Sequence, residues 1–315
     1  MTKLFIIGNG FDLAHGMNTH YSDFRDYLID EYDVDENLIN MVGYDIPTPH
    51  DLPDGGEEYD DTIAAAAIIK TLDNTEGSQW KDVEKSLGEL NFCEFLDDWA
   101  EVYNSDDDNA FRDNMYRNED NAKNLCGALR LIEGYFQEWV KTIEVSHIII
   151  PDFKKLISPE NDLFLNFNYT KTLEKLYNAQ NVCHIHGTQD EDIYFGHGND
   201  EDRTDYYQSN WFGAESELNQ LQYSLRKDTN NAYNKNASFF KRIEETAKEG
   251  KFEIYSFGFS FSEVDTIYLR EIFRRIDTKD VVFHLNDFET KKQQDEYIDV
   301  LKDCRFEGNI HRNFK

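Results

Sequence analysis

The feature that most constrains this chain is a set of short apolar runs with few polar interruptions. They occur at 4–8 (LFIIG), 146–151 (SHIIIP), 163–167 (LFLNF), 182–186 (VCHIH), 253–258 (EIYSFG) and 281–285 (VVFHL). A strand with one face in water alternates apolar and polar residues, whereas a strand covered on both faces does not. These runs therefore predict strands of a mostly parallel sheet. Helical periodicity lies between them, at roughly 21–32, 171–179, 236–249, 263–276 and 289–302. Strands alternating with helices predict an α/β fold with crossover connections and helices on both faces of the sheet.

The alternation is broken once, early. Residues 33–60 carry Pro47, Pro49 and Pro53 and then DGGEEYDD, which reads as an exposed acidic loop. From about 60 to 145 the pattern is helical. Trp80, Val83, Leu87 and Leu90 recur at helical spacing, and Ala128, Leu129, Leu131, Ile132, Tyr135 and Trp139 place a broad apolar face on one long helix. SDDDN at 105–109 reads as a turn with a helix cap. The expected organisation is thus an α/β domain from 1–32 and 146–315, with an acidic loop and helical insertion at 33–145 after the first strand–helix unit. Residues 198–235 are polar and carry no clear pattern.

The formal net charge is −31, from 63 acidic and 32 basic residues. Such a surface repels phosphate backbones and anionic membranes, so neither nucleic acid nor membrane is an expected partner. Four scattered cysteines without a CxxC pair argue against structural zinc and a disulfide framework. LFIIG after Lys3 is too short for a signal-peptide core, and no run reaches transmembrane length. A cytoplasmic protein is expected.

Chemistry concentrates where strands end. At Gly8-Asn9-Gly10-Phe11-Asp12 a strand meets a glycine turn and a helix, as in Rossmann-like nucleotide-binding domains, although Leu13 replaces the third glycine of GxGxxG. Asp12 equally suits a helix cap. Asn166-Phe167-Asn168-Tyr169-Thr170 ends another strand; Asn168 could orient a ribose or water, and it or Thr170 could simply cap the next helix. His184 and His186 would share one side of a strand, with Gly187 ending it and His197 and Asn199 in a second glycine turn. Two histidines at i, i+2 could hold a metal, but no third ligand is obvious, and a single histidine there could act as a general base. The fourth turn holds Gly258, Ser260 and Ser262, with Ser262 and Asp265 in the outline of a capping box.

At these residues the sequence resembles the AbiH family of phage abortive-infection proteins. The resemblance is carried by LFIIGNGFDLAHG with YSDF (21–24), WKDVEKSLGEL (80–90), FNYTKTLE (167–174), HIHG with GHGN (184–199) and SFGFSFSEVD (256–265). More distantly, the same order is similar to sirtuin-like NAD-cleaving defence domains. That similarity implies that Asn168 and His186 are catalytic. It also implies that Gly8, Asn9, Gly10, Phe11 and Asp12, with Gly258 and Ser260, hold the dinucleotide. Two departures stand out: Asp12 replaces the usual serine, and Thr170 stands where an aspartate usually follows the asparagine. Asp12 would repel a pyrophosphate unless it caps its helix or faces a ribose.

The implied activity is hydrolysis of the nicotinamide–ribose bond, with NAD as substrate, no further cofactor and no metal. Glu84 could stabilise positive charge on the ribose, or could be an ordinary surface residue. The implied partners are a nucleotide (NAD or a relative) and a phage-derived trigger; self-association into a homo-oligomer stays open. Two other functions compete. One is a non-catalytic nucleotide-binding sensor, which the two departures favour. The other is a nuclease-type toxin, which the charge and the lack of an organised carboxylate motif oppose.

Overall fold

The structure is a computed structural model that describes residues 2–43, 45–96, 108–286 and 290–314. Its strands are β1 (Thr2–Ile7), β2 (His50–Asp51), β3 (Glu57–Glu58), β4 (Leu163–Asn166), β5 (Val182–His184), β6 (Phe252–Phe257), β7 (Val282–Asn286) and β8 (Asn309–Phe314). β2 and β3 form a small antiparallel hairpin. The other six make one sheet in the order β5-β4-β1-β6-β7-β8, with every neighbouring pair parallel. Two three-stranded halves thus meet between β1 and β6, where the strand order reverses. This is the Rossmann-like arrangement, and ligands of such sheets bind outside the carboxyl ends at that reversal.

Successive residues of the unbroken apolar runs point into two different cores. Leu4, Ile6, Leu163, Leu165 and Ile254 face one core, shared with Phe240, Leu269, Ile272 and Leu301. These come from helices Ala237–Lys248, Thr266–Arg275 and Lys291–Asp303. Phe5, Ile7, Phe164, Tyr255 and Phe257 face the other core, with Phe11, Phe153, Leu173 and Tyr177. These belong to helices Asn9–Ala14, Pro151–Leu156 and Thr172–Tyr177. Helices cover both faces, as the apolar runs require.

Several expectations need correction. Residues 146–151 are not a strand: Ile148 and Ile149 are exposed, and Pro151 opens a helix, a position where its missing N–H costs nothing. The sheet instead gains β8, whose sequence NIHRNF is polar because it lies at the sheet edge with β7 as its neighbour. Within 33–60, helix Glu36–Val42 and the β2–β3 hairpin replace a plain loop. The apolar face at 128–139 spans two helices, Asp108–Leu129 and Ile132–Thr142. The cap expected at 105–109 lies mostly outside the described residues.

The chain divides into two compact units. The first holds the sheet and comprises 1–19, 140–194 and 228–315; the second comprises 20–139 and 195–227. Helix Tyr21–Glu31 and the polar stretch after Tyr194 therefore fall in the second unit, outside the boundaries that the sequence suggested. That stretch folds as helices Thr204–Asn210 and Glu215–Ser224. The second unit has its own core, including alanines 64–67 of helix Asp61–Glu76 and the stacked pair Phe136–Phe195, 3.9 Å between ring centroids.

Glycines fuse the two halves of the sheet at their carboxyl edge. Gly8 N donates to Phe257 O (3.0 Å) and Gly10 N donates to Gly258 O (2.9 Å). A Cβ on Gly8 would lie 2.5 Å from Gly258 O, and one on Gly10 would lie 2.6 Å from Gly258 Cα. Gly258 itself has φ 63°, and a Cβ there would strike the amide of Phe11. Gly258→Ala is therefore expected to cost about 2–4 kcal/mol, from backbone overlap plus a left-handed side-chain residue. Urea unfolding measures this, and an unchanged midpoint would refute the backbone contact.

Candidate functional site

The loop after β1 is joined by its own backbone to the turn after β6. Besides the amides of Gly8 and Gly10, that of Phe11 is engaged, donating to Gly8 O at 2.9 Å. Phe11 is fully buried in the core against Phe153 and Phe257. Asn9 is exposed, and its Nδ2 donates to Thr19 O at 2.6 Å. The glycines are needed for backbone-to-backbone contact within the protein, a use that a dinucleotide fingerprint does not distinguish from ligand contact.

Asp12 neither caps its helix nor faces water. It is 1% exposed, and its Oδ2 accepts from Thr170 Oγ1 at 2.5 Å. Asp12 and Thr170, far apart in sequence, thus touch each other. Thr170 Oγ1 also lies 3.0 Å from Thr172 Oγ1. Burial pushes the Asp12 carboxyl up to about 6, against the polar groups of Thr170, Thr172 and Asn168 and the nearby His184, which all lower it. Yet Oδ1 of Asp12 and Nδ2 of Asn168 are both buried without a well-formed hydrogen bond. The Asn168 amide faces the carboxyl closely enough to act on its charge but out of line for a bond.

The loop after β4 is built from its own side chains. Asn166 Oδ1 accepts from Asn168 N at 3.1 Å, and Asn166 Nδ2 donates to Thr170 O at 3.5 Å. His184 Nδ1 lies 3.1 Å from Asn168 O, and its Nε2 lies 2.8 Å from Glu174 Oε1. Both nitrogens of His184 are thereby committed to holding the loop. β5 ends at His184, so His186 lies beyond the strand rather than beside its neighbour. Its ring sits among Phe167, Tyr169 and Tyr268, at 5.2, 6.2 and 6.1 Å between centroids. Asn168 lies between Phe167 and Tyr169 in sequence, so the loops after β4 and β5 adjoin through the rings that flank His186.

The turn after β6 reaches the same place. Phe259 packs on Phe167 at 4.5 Å. Ser260 is exposed, whereas Asp265 is buried, and Asp265 Oδ1 lies 3.1 Å from His186 Nε2. The direction of approach falls short of a hydrogen bond, so Nε2 stays unsatisfied. Ser262 does not form the expected capping box; its Oγ donates to Asp265 Oδ2 at 2.9 Å. The sequence held a signal for Asp265, an acid after a strand-end turn, but the capping reading absorbed it.

Two other residues serve the second unit. Glu84 forms an ion pair with Lys227, 2.7 Å apart, in which the Lys227 side chain is wholly buried. His197 is also buried: its Nε2 donates to Gln222 O (2.8 Å), its Nδ1 accepts from Asn199 N (3.1 Å), and burial lowers its pKa. Asn199 Nδ2 donates to Gly88 O at 2.7 Å, tying GHGN to the segment that begins at Trp80. Among the described residues no group of three His, Cys, Asp or Glu side chains could hold a metal ion, and no helix is long and apolar enough to cross a membrane.

The raised carboxyl of Asp12 makes stability depend on pH with a definite sign. A carboxyl whose pKa is higher in the folded state stabilises most when both states are protonated, and the advantage is lost as pH rises through the folded value. Asp12→Asn, which stays neutral, should therefore gain on the wild type by about 3 kcal/mol between about pH 4 and about pH 7. Denaturant unfolding of both proteins at each pH checks this; parallel curves would show that Asp12 ionises without penalty.

A model of the family described as bacteriophage abortive infection AbiH matches residues 4–287. No curated protein and no solved structure matches the chain significantly. The matched span runs from within β1 through β7 and takes in every loop described above. The chain belongs to the bacteriophage abortive infection family AbiH.

Proposed function

We propose that this protein acts in phage defence as an NAD glycohydrolase, cleaving the nicotinamide–ribose bond and depleting the NAD of an infected cell from within its cytoplasm. One observation carries the reading: Asn168 and His186 lie in the loops that follow β4 and β5 at the carboxyl edge of a Rossmann-like sheet, each buried with a side-chain nitrogen that has no well-formed hydrogen bond. Buried polar groups are normally satisfied, and exceptions cluster where a ligand or reaction needs them. The distant sirtuin-like resemblance assigns the same two residues.

In this reading the Asn168 amide orients water and ribose, and His186 takes a proton from the water. Water adds to the anomeric carbon, the carbon–nitrogen bond breaks, and nicotinamide leaves with the bonding pair. The transition state has oxocarbenium character, as in other glycoside cleavages. The aromatic rings around His186 keep bulk water from the reacting centre. The pyrophosphate is held away from the amides of Gly8, Gly10 and Phe11, because those are already engaged.

A second reading, a nucleotide sensor without turnover, is favoured by the low exposure of Asn168 (6%) and His186 (4%). A closed site needs a phage-derived trigger to open it, and a sensor needs no more than that opening. Purified protein with and without lysate of infected cells, supplied with NAD, separates the two. Nicotinamide release that falls about 10²–10⁴-fold in His186→Ala and in Asn168→Ala supports the hydrolase. Full activity in both variants would remove the proposed site, and triggered binding without release would favour the sensor.

A further inference from the structure

We propose that Asp265 is the positioning residue for His186, fixing its tautomer so that Nδ1 is the working base; this rests on the hydrolase reading of the same site. The two side chains come from opposite halves of the sheet, His186 after β5 and Asp265 after β6. Their closest atoms, His186 Nε2 and Asp265 Oδ1, are 3.1 Å apart. The side chains are 4% and 8% exposed, so water competes little for either. A carboxylate on one ring nitrogen keeps the proton there, leaves the lone pair on the other, and favours the imidazolium formed when the base takes a proton.

The surroundings suit that task. Ser262 Oγ holds the other carboxylate oxygen at 2.9 Å, which fixes the plane of Asp265. The turn that delivers both residues contains Phe261 at φ 55°, a left-handed backbone that an aromatic residue adopts only under constraint. Aromatic rings flank the imidazole, from Phe167 and Tyr169 after β4 and from Tyr268 on the helix after Asp265. The carboxylate is the charged group that faces it among the described residues' ion pairs. The present geometry is close in distance and poor in direction. Catalytic hydrogen bonds are often misaligned before substrate binds and tighten in the complex.

The test reads His186 directly. In protein labelled with ¹⁵N-histidine, the tautomer and titration of His186 are followed by NMR in wild type, Asp265→Asn and Ser262→Ala. The wild type should carry its proton on Nε2. Asp265→Asn should move the proton from Nε2 toward Nδ1, and Ser262→Ala should do so less. In NAD cleavage, kcat should fall about 10²–10⁴-fold in Asp265→Asn with little change in KM. An unchanged tautomer and titration would overturn the proposal, whatever happens to activity. Should Asp265→Asn not fold, Ser262→Ala decides by the same readout. Absence of NAD cleavage by the triggered wild type would instead defeat the hydrolase reading, while the NMR result would still report on the pair.

Discussion

The backbone contact between Gly8, Gly10 and Gly258 is the constraint on which the carboxyl edge of this sheet depends. In an open α/β sheet the reversal of strand order leaves a crevice, because crossovers leave in opposite directions. Here two amide–carbonyl bonds bridge it, and three glycines let the chains approach closer than any side chain permits. The loop after β6 is thereby set in height and direction. Phe259 can then rest on Phe167, and Asp265 can reach His186. The polar groups at this edge owe their positions to a contact that contains no side chain at all.

Much of the fold was legible because burial on both faces leaves a strong mark. The runs at β1, β4, β5, β6 and β7 were each recognisable, and their even hydrophobicity implied parallel pairing. β8 was not recognisable, since an edge strand needs no apolar run, and NIHRNF resembles a polar tail. The isoleucines at 148–150 misled for the opposite reason: β-branched residues favour strands, but this segment has no neighbour with which to pair. The extent of the second unit escaped because residues 195–227 join it from far along the chain.

The candidate site was half legible. Asn168 and His186 stood out as polar residues at strand ends, and the structure brings their loops together. Asp12 and Thr170 looked like two separate departures from a pattern, and they prove to be partners. A pairing of residues 158 positions apart leaves no trace in local spacing. The backbone contact of the glycine loop was not legible, because sequence cannot say whether a backbone approaches a phosphate or another backbone.

The pairing of β1 has a consequence for how the protein is made. Thr2 pairs with Phe252, and Leu4 pairs with Leu163, so the strand synthesised first occupies the middle of the sheet. Its partners leave the ribosome long afterwards, with most of the second unit in between. Such long-range closure slows folding and leaves one edge of β1 without its β6 partner until late in translation. A ribosome halted before β6 therefore yields a chain in which β1 can pair with β4 but not with β6, and the glycine bridge at the sheet edge is not assembled.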